Sequence, residues 1–268
     1  MALEIGVILP TSSPDPHQPI LGDVRASARF AEDVGLDSVW STDHLIASAP
    51  MLDSTVVLGA AAAVTERIGI GFNVLLLALR PVAWAAKQIS TLQYVSGDRL
   101  TVGVGTGNPA HGDIGWRAAG VLYEGRGRRT DEALRLLPGL VTGQPTVLAD
   151  GSAVTLAPGS AMPPVLVAGN GTRARRRAAA YGDGWISLGL APDEVGAGVA
   201  ELAELAAGHG RNAPRATVVI PPPTDDAEEV GSRLAAYAEF GTERVILAPT
   251  GPDWRRDYEF AAKVRAAL

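Results

Sequence analysis

The sequence predicts an α/β fold: a single (β/α)₈ TIM barrel with a short hairpin insertion between the fourth helix and the fifth strand. Three observations carry that reading. Apolar, β-rich runs alternate with stretches of helical periodicity from end to end. The strand-like runs are apolar at successive positions, as strands of a parallel sheet covered on both faces must be. Eight such strand–helix pairs fit into 268 residues, which matches a closed barrel better than an open doubly wound sheet.

The elements follow in order. Glu4 to Pro10 is a first strand, and Leu21, Val24, Ala28, Ala31 and Val34 then recur at helical spacing up to the stop at Gly35. Asp37 to Ser41 is a strand and Ser54 to Thr65 a helix. Ile68 to Val74 is a strand, followed by a helix from Pro81 to Val95 with proline in its first turn. Leu100 to Gly105 and the helix Arg129 to Val141 make the fourth pair. Gln144 to Met162 breaks the rhythm, and its Asp150-Gly151 pair predicts a hairpin.

The second half repeats the pattern: strand Pro164 to Ala168 with helix Thr172 to Tyr181, then Asp183 to Leu188 with Pro192 to Ala207. Ala216 to Pro221 pairs with Asp225 to Phe240. Arg244 to Ala248 is the last strand, and Trp254, Tyr258, Ala261 and Val264 mark the last helix. No linker or charge block interrupts residues 1–268, which read as one domain.

Composition narrows the chemistry. Lys and Arg number 23 against 29 Asp and Glu, a net charge of −6, which argues against a nucleic-acid partner. Cysteine is absent, so disulfides, thiolate catalysis and sulfur-built zinc sites are excluded. The apolar stretches Thr55 to Val64 and Ile68 to Leu79 are separated by Glu66-Arg67 and are too short to span a membrane. The opening Met-Ala-Leu-Glu-Ile-Gly has no basic region of a secretory signal, so a cytoplasmic location is expected.

A barrel of this type carries its site on the loops after the strands. Those loops hold Pro10 to Ser13, then Thr42, Asp43 and His44, then Asn73 and Val74, then Thr106, Gly107, Asn108 and His111. Gly169, Asn170, Gly171 and Thr172 follow, then Ser187 and Gly189, Pro221 to Pro223, and Pro249 to Gly251. The two lysines, Lys87 and Lys263, fall inside helices, so a Schiff-base enzyme is not expected. Asp43 and His44 are the one adjacent acid and imidazole at a strand end. No converging ligands for a metal hydrolase and no opposed carboxylates for a glycosidase are present. Such a mouth needs a cofactor to carry the reaction.

The segment Gly169-Asn170-Gly171-Thr172 is the first candidate to hold one, since a small-residue turn at a helix start offers backbone N–H groups and the positive dipole end. Thr172 can cap the helix or donate to a phosphate. The alternative is an ordinary turn whose following arginines form a solvated face. Gly103, Gly105 and Gly107 would let a flat ring approach the backbone. His44 reads either as a proton donor or acceptor in the mouth or as part of a strand-end turn. His111 and Trp116, in the long loop after the fourth strand, either shape a substrate site or pack.

Ser38-Val-Trp-Ser-Thr-Asp-His-Leu45, Arg67 to Val74, Ala86 to Leu92, Ser96 to Gly107, Gly125 to Leu134 and Val165 to Thr172 through Gly182-Asp-Gly-Trp185 follow one another over nearly the whole chain. In kind and in order these blocks resemble the bacterial luciferase-like flavin and deazaflavin oxidoreductases. The resemblance implies a (β/α)₈ barrel that binds FMN or coenzyme F420 at the carboxyl ends of its strands. It sets the catalytic Asp43 and His44 beside the ring, a non-prolyl cis peptide at Asn73-Val74 behind it, Thr106 and Gly107 near the cofactor, and the phosphate on Gly169 to Thr172. Asn108, His111 and Trp116 would meet the substrate. Sugar-phosphate dehydrogenases of the deazaflavin branch carry an acid directly after Gly-Thr-Gly, where this chain has Asn108.

The leading expectation is an F420-dependent oxidoreductase moving a hydride between the deazaflavin and a small-molecule substrate. The second is an FMN monooxygenase supplied with reduced FMN by a separate reductase, and the third a flavin-binding protein without turnover. The weakly charged helices Ser54 to Thr65 and Pro81 to Val95 predict a homodimer.

Overall fold

A computed structural model describes residues 3–12, 22–47 and 49–268. Ser13 of the first strand-end loop, Leu21 of the first helical stripe and the opening Met1-Ala2 lie outside the described residues. Eight parallel strands close into a barrel: β1 (Glu4–Ile8), β2 (Ser38–Ser41), β3 (Gly69–Leu75), β4 (Leu100–Val104), β7 (Val165–Ala168), β8 (Gly184–Leu188), β9 (Arg215–Ile220) and β10 (Thr242–Leu247). They run β1-β10-β9-β8-β7-β4-β3-β2 around the ring. The expected hairpin is there too, as antiparallel β5 (Thr146–Val147) and β6 (Ala153–Val154) turning past Asp150 and Gly151.

Helices α1 (Val24–Asp33), α2 (Ser54–Ala62), α3 (Val82–Ser96), α5 (Arg126–Val141), α6 (Thr172–Tyr181), α7 (Pro192–Gly208), α8 (Ala227–Glu239) and α9 (Trp254–Ala266) surround the barrel. Carboxylates set several of their starts: Asp23, Asp53, Asp226 and Asp253 each accept backbone N–H bonds from the first turn. The structure ends α2 at Ala62, three residues before the predicted stop, and begins α5 at Arg126, three before the predicted start. Gly125 supplies the left-handed residue ahead of that helix.

Three short elements at the mouth escape hydrophobic periodicity: a 3₁₀ turn at Leu77–Leu79, another at Pro109–His111, and the five-residue helix α4 (Ile114–Ala118). A segment of one turn is too short to show a period. No helix among the described residues is long and apolar enough to cross a membrane.

The outer layer between strands and helices forms the main core, with Ile5, Val39, Phe72, Val102, Leu137, Trp185, Leu202 and Tyr258 buried in it. Inside the barrel a second, smaller cluster joins Trp40, Leu166, Ile186, Val219 and Ile246, with Ile8, Val74 and Ala168 packed on it. Trp40 is the plug. Its indole N–H donates to Ser38 Oγ at 2.8 Å, and its ring occupies the space that side chains on the flanking strands would need. A Cβ on Gly71 would lie 2.3 Å from the Trp40 ring, and one on Gly6 2.7 Å from its nitrogen.

Candidate functional site

The apolar residues Ile8, Val74 and Ala168 come from β1, β3 and β7 and top the interior cluster, giving the mouth an apolar floor at the carboxyl ends of the strands. The Asn73-Val74 peptide is cis, as the resemblance implied. The pairing of β3 with β4 shifts between Phe72 and Leu75, so Val74 bulges toward β4. Gly103 and Gly105 make room for that bulge. A Cβ at Gly103 would lie 2.1 Å from the Phe72 carbonyl oxygen, and one at Gly105 2.4 Å from Val74 Cγ2. This corrects the expectation that these glycines clear space for a ring: the chain's own bulge fills it.

Asp43 follows β2 and is buried, with its carboxylate held from three sides. The Ser54 hydroxyl donates to it at 3.0 Å, the Leu76 backbone N–H at 2.9 Å and the Arg80 guanidinium at 2.6 Å. A carboxylate so engaged fixes the geometry of its loop and is not available to move a proton. Arg80 is the residue that sequence reasoning missed. It lies 37 positions from Asp43, and no local pattern announces the pair.

His44 has the opposite surroundings. It is 8% exposed, and neither Nδ1 nor Nε2 has a hydrogen-bond partner. Buried polar groups are nearly always paired, so such an orphan points to a ligand or water. Its ring stands edge-on to His111, with centroids 4.9 Å apart at 77°. Burial above all, and then the neighbouring His111, lower its pKa from the usual 6.5, while Asp43 acts the other way. Near neutral pH the imidazole is therefore uncharged and a proton acceptor. Its flank opens on a cleft of about 450 Å³ that Met51, Leu79, Arg80, Trp84 and Gln88 also line.

The loop after β4 brings His111 to this place. Asn108, expected at the substrate, instead caps the 3₁₀ turn: its side-chain oxygen accepts the Ala110 N–H at 3.0 Å. Trp116, also expected there, is buried against Leu76, Ala78 and Leu79 and lies under Gly107. It supports the mouth from beneath. The Thr106 carbonyl accepts from Arg126 Nε at 2.9 Å, and that guanidinium stacks on Tyr123 at 3.8 Å.

On the far side of the mouth, Gly169 to Thr172 joins β7 to α6. Thr172 does not cap this helix; it is the first helical residue, and Gly171 stands at the cap without a side-chain hydrogen bond. The helix thus starts without a side-chain acceptor of its own. Asn170 is committed elsewhere, since its amide donates to the Leu188 carbonyl at 2.8 Å and its oxygen accepts the Leu188 N–H at 2.9 Å. A Cβ at Gly171 would meet nothing within 4 Å. The arginines divide: Arg175 pairs with Glu201 at 2.6 Å and Arg177 with Asp131 at 2.5 Å, while Arg173 and Arg176 are exposed. No group of three or more His, Cys, Asp or Glu among the described residues could hold a metal ion.

Comparison with known proteins agrees with this architecture. The family model described as luciferase-like monooxygenase matches residues 3–263. An F420-dependent glucose-6-phosphate dehydrogenase of Beutenbergia cavernae is 34% identical over 180 residues, which are 61% of this chain and 52% of that protein. An uncharacterized protein of Mycobacterium tuberculosis is 35% identical over 170 residues, 62% of this chain. The chain spans 58% of that relative's length. Among solved structures, an F420-dependent secondary alcohol dehydrogenase with an F420-acetone adduct superposes with a TM-score of 0.82 at 20% identity, covering 100% of this chain and 98% of that one. The FMN-bound oxygenating constituent of 3,6-diketocamphane monooxygenase from Pseudomonas putida gives 0.79 at 16%, covering 100% and 98%. At such identities the two structures speak for the fold alone.

Proposed function

The chain belongs to the luciferase-like monooxygenase family, and from that premise we propose that it is an F420-dependent oxidoreductase acting on a small organic substrate. The observation that carries the proposal is His44: a buried, uncharged imidazole with both nitrogens unpartnered, at the end of a barrel strand. A bound deazaflavin supplies a hydride acceptor or donor. What remains for the protein is the proton, and His44 takes it from a substrate hydroxyl as the carbon–hydrogen bond is oxidised. In the reverse direction it returns that proton to the oxygen.

The other residues bind and orient. Ile8, Val74 and Ala168 offer the apolar surface on which a flat ring would lie. The start of α6 at Gly171-Thr172 offers backbone N–H groups to a phosphate, and Gly169 gives the turn its shape. Asp43, held by Arg80, Ser54 and Leu76, fixes the loop from which His44 projects and acts as a positioning residue. The curated relative that names a cofactor at 34% identity names F420, whereas the structure named for FMN is alike in fold alone. That favours the deazaflavin over an FMN monooxygenase served by a separate reductase.

Assembly as a homodimer is part of the proposal. Val56 on α2 and Trp84, Tyr94 and Val95 on α3 are half exposed or more, and the two helices pack side by side. Large apolar side chains grouped on neighbouring helices favour a covered face.

The test is titration of the cofactor-free protein with F420 and with FMN, each oxidised and reduced, followed by fluorescence. Tighter binding of F420 is expected. Binding of FMN with no response to F420 would overturn the assignment.

A further inference from the structure

The cleft beside His44 carries a second unpaired group. Gln88, on α3, lines the same cleft of about 450 Å³, and its side-chain oxygen Oε1 is buried without a hydrogen-bond partner. Buried polar atoms are nearly always paired, so two such side chains on one cleft leave positions for a ligand to fill. Leu45, Met51, Leu79 and Trp84 make much of the remaining wall apolar. Apolar walls with a few polar groups at this volume are the usual form of a small-molecule site.

The polar groups decide what fits. The Arg80 guanidinium lies 2.6 Å from Asp43, and the two charges offset one another. Asp53 is exposed, caps α2 by accepting the Val56 N–H at 3.0 Å, and adds a negative charge to the cleft. Burial first, and then His111, hold the His44 pKa below 6.5, so near neutral pH the imidazole adds no positive charge. Such a cleft disfavours anions. The unpaired Gln88 oxygen is an acceptor, and only a hydroxyl or an N–H can satisfy it.

We propose that this cleft is the substrate subsite, that it takes an uncharged molecule with an apolar body and a second hydrogen-bond donor beyond the reacting hydroxyl, and that Gln88 selects for that donor. The proposal names the substrate class of the function given above and rests on it: the reacting hydroxyl meets His44 and the second donor meets Gln88 Oε1. Sugar phosphates and carboxylates are turned away by charge. Simple alcohols leave the Gln88 oxygen unpaired and bind less well.

The experiment is NMR of the cofactor-free protein, following the His44 ring and the Gln88 side-chain amide. The probes are straight-chain terminal diols from propanediol to octanediol, the mono-alcohols of the same lengths, and the matching carboxylates. At the best-fitting length the diol should move both signals and bind about tenfold tighter than its mono-alcohol, the worth of a hydrogen bond to a buried acceptor otherwise unpaired. The carboxylate should move neither. Gln88→Met keeps the bulk and removes the acceptor, so the preference for the diol should vanish from the His44 signals. Gln88→Glu keeps an acceptor and should keep the preference. Equal binding of diol and mono-alcohol at every length in wild type would overturn the subsite, as would a preference that survives Gln88→Met. A Gln88 amide that moves on dilution to monomer and ignores the diols would belong to a contact between copies, and would overturn it as well. The two readings separate cleanly. Diol selection in a protein that does not bind F420 removes the function and keeps the subsite. F420-linked turnover with no diol selection does the reverse.

Discussion

Arg80 reaches Asp43 across 37 positions of sequence and sets its guanidinium 2.6 Å from the carboxylate, with side-chain exposures of 17% and 3%. The pair draws the segment after β3 against the loop after β2. Through that contact the residue beside Asp43, His44, is held where it is.

Removing one partner of such a pair should be costly. Asp43→Ala strands the Arg80 cation, the Leu76 N–H and the Ser54 hydroxyl together, and is expected to destabilise the fold by about 3–5 kcal/mol. Urea denaturation measures it. A loss under 1 kcal/mol would mean that water replaces the carboxylate without difficulty.

His44→Ala should leave F420 affinity within a few-fold and lower turnover by about 10²–10⁴. If affinity collapses while saturated turnover survives, His44 binds and does not catalyse.

Stability should also depend on His44 through pH. Its folded pKa lies below the usual 6.5, so between the two values the unfolded chain binds more protons. The contribution is present above 6.5 and is lost as pH falls through the folded value. Denaturation midpoints for wild type and His44→Gln should therefore diverge on acidification, with wild type losing more. Parallel curves would remove the burial argument.

At the start of α6, Gly171→Val places a side chain in open space and should not disturb folding. It should weaken F420 binding at least about tenfold, because the added atoms enter the room a phosphate would take. Unchanged binding with an unchanged melting temperature would move the phosphate elsewhere in the mouth.

Trp84→Glu tests the dimer. A carboxylate on a covered apolar face should yield a monomer by light scattering at micromolar concentration. Wild type should scatter as a dimer.

The barrel was legible because apolar, β-rich runs alternate with helical periodicity from end to end, signals that local sequence carries. The hairpin followed from Asp150-Gly151 in the same way. His44 stood out by elimination among the strand ends. Its surroundings did not, because Arg80, His111 and Gly115 approach it through turns too short to be periodic and from segments far along the chain. Asn108 and Trp116 illustrate the other limit: their place in a strand-end loop was readable, but whether a side chain turns to the substrate, to a cap or to the core depends on tertiary packing. The glycines of β4 show it again, since the need for them arises from Val74 on a neighbouring strand.

The indole of Trp40 makes three positions answerable to one another. Alanine at Gly71 or at Gly6 collides with it at 2.3 Å and 2.7 Å, a clash costing typically about 1–3 kcal/mol by overpacking. Shrinking Trp40 instead would leave a hole at the barrel axis. A lineage drifting at this level of the barrel must therefore pass through a poorly filled intermediate before a larger residue can be admitted on β3: the tryptophan yields first, and Gly71 follows. On β1 a second change is needed as well, because a Cβ at Gly6 would also lie 2.6 Å from Ser38 Oγ.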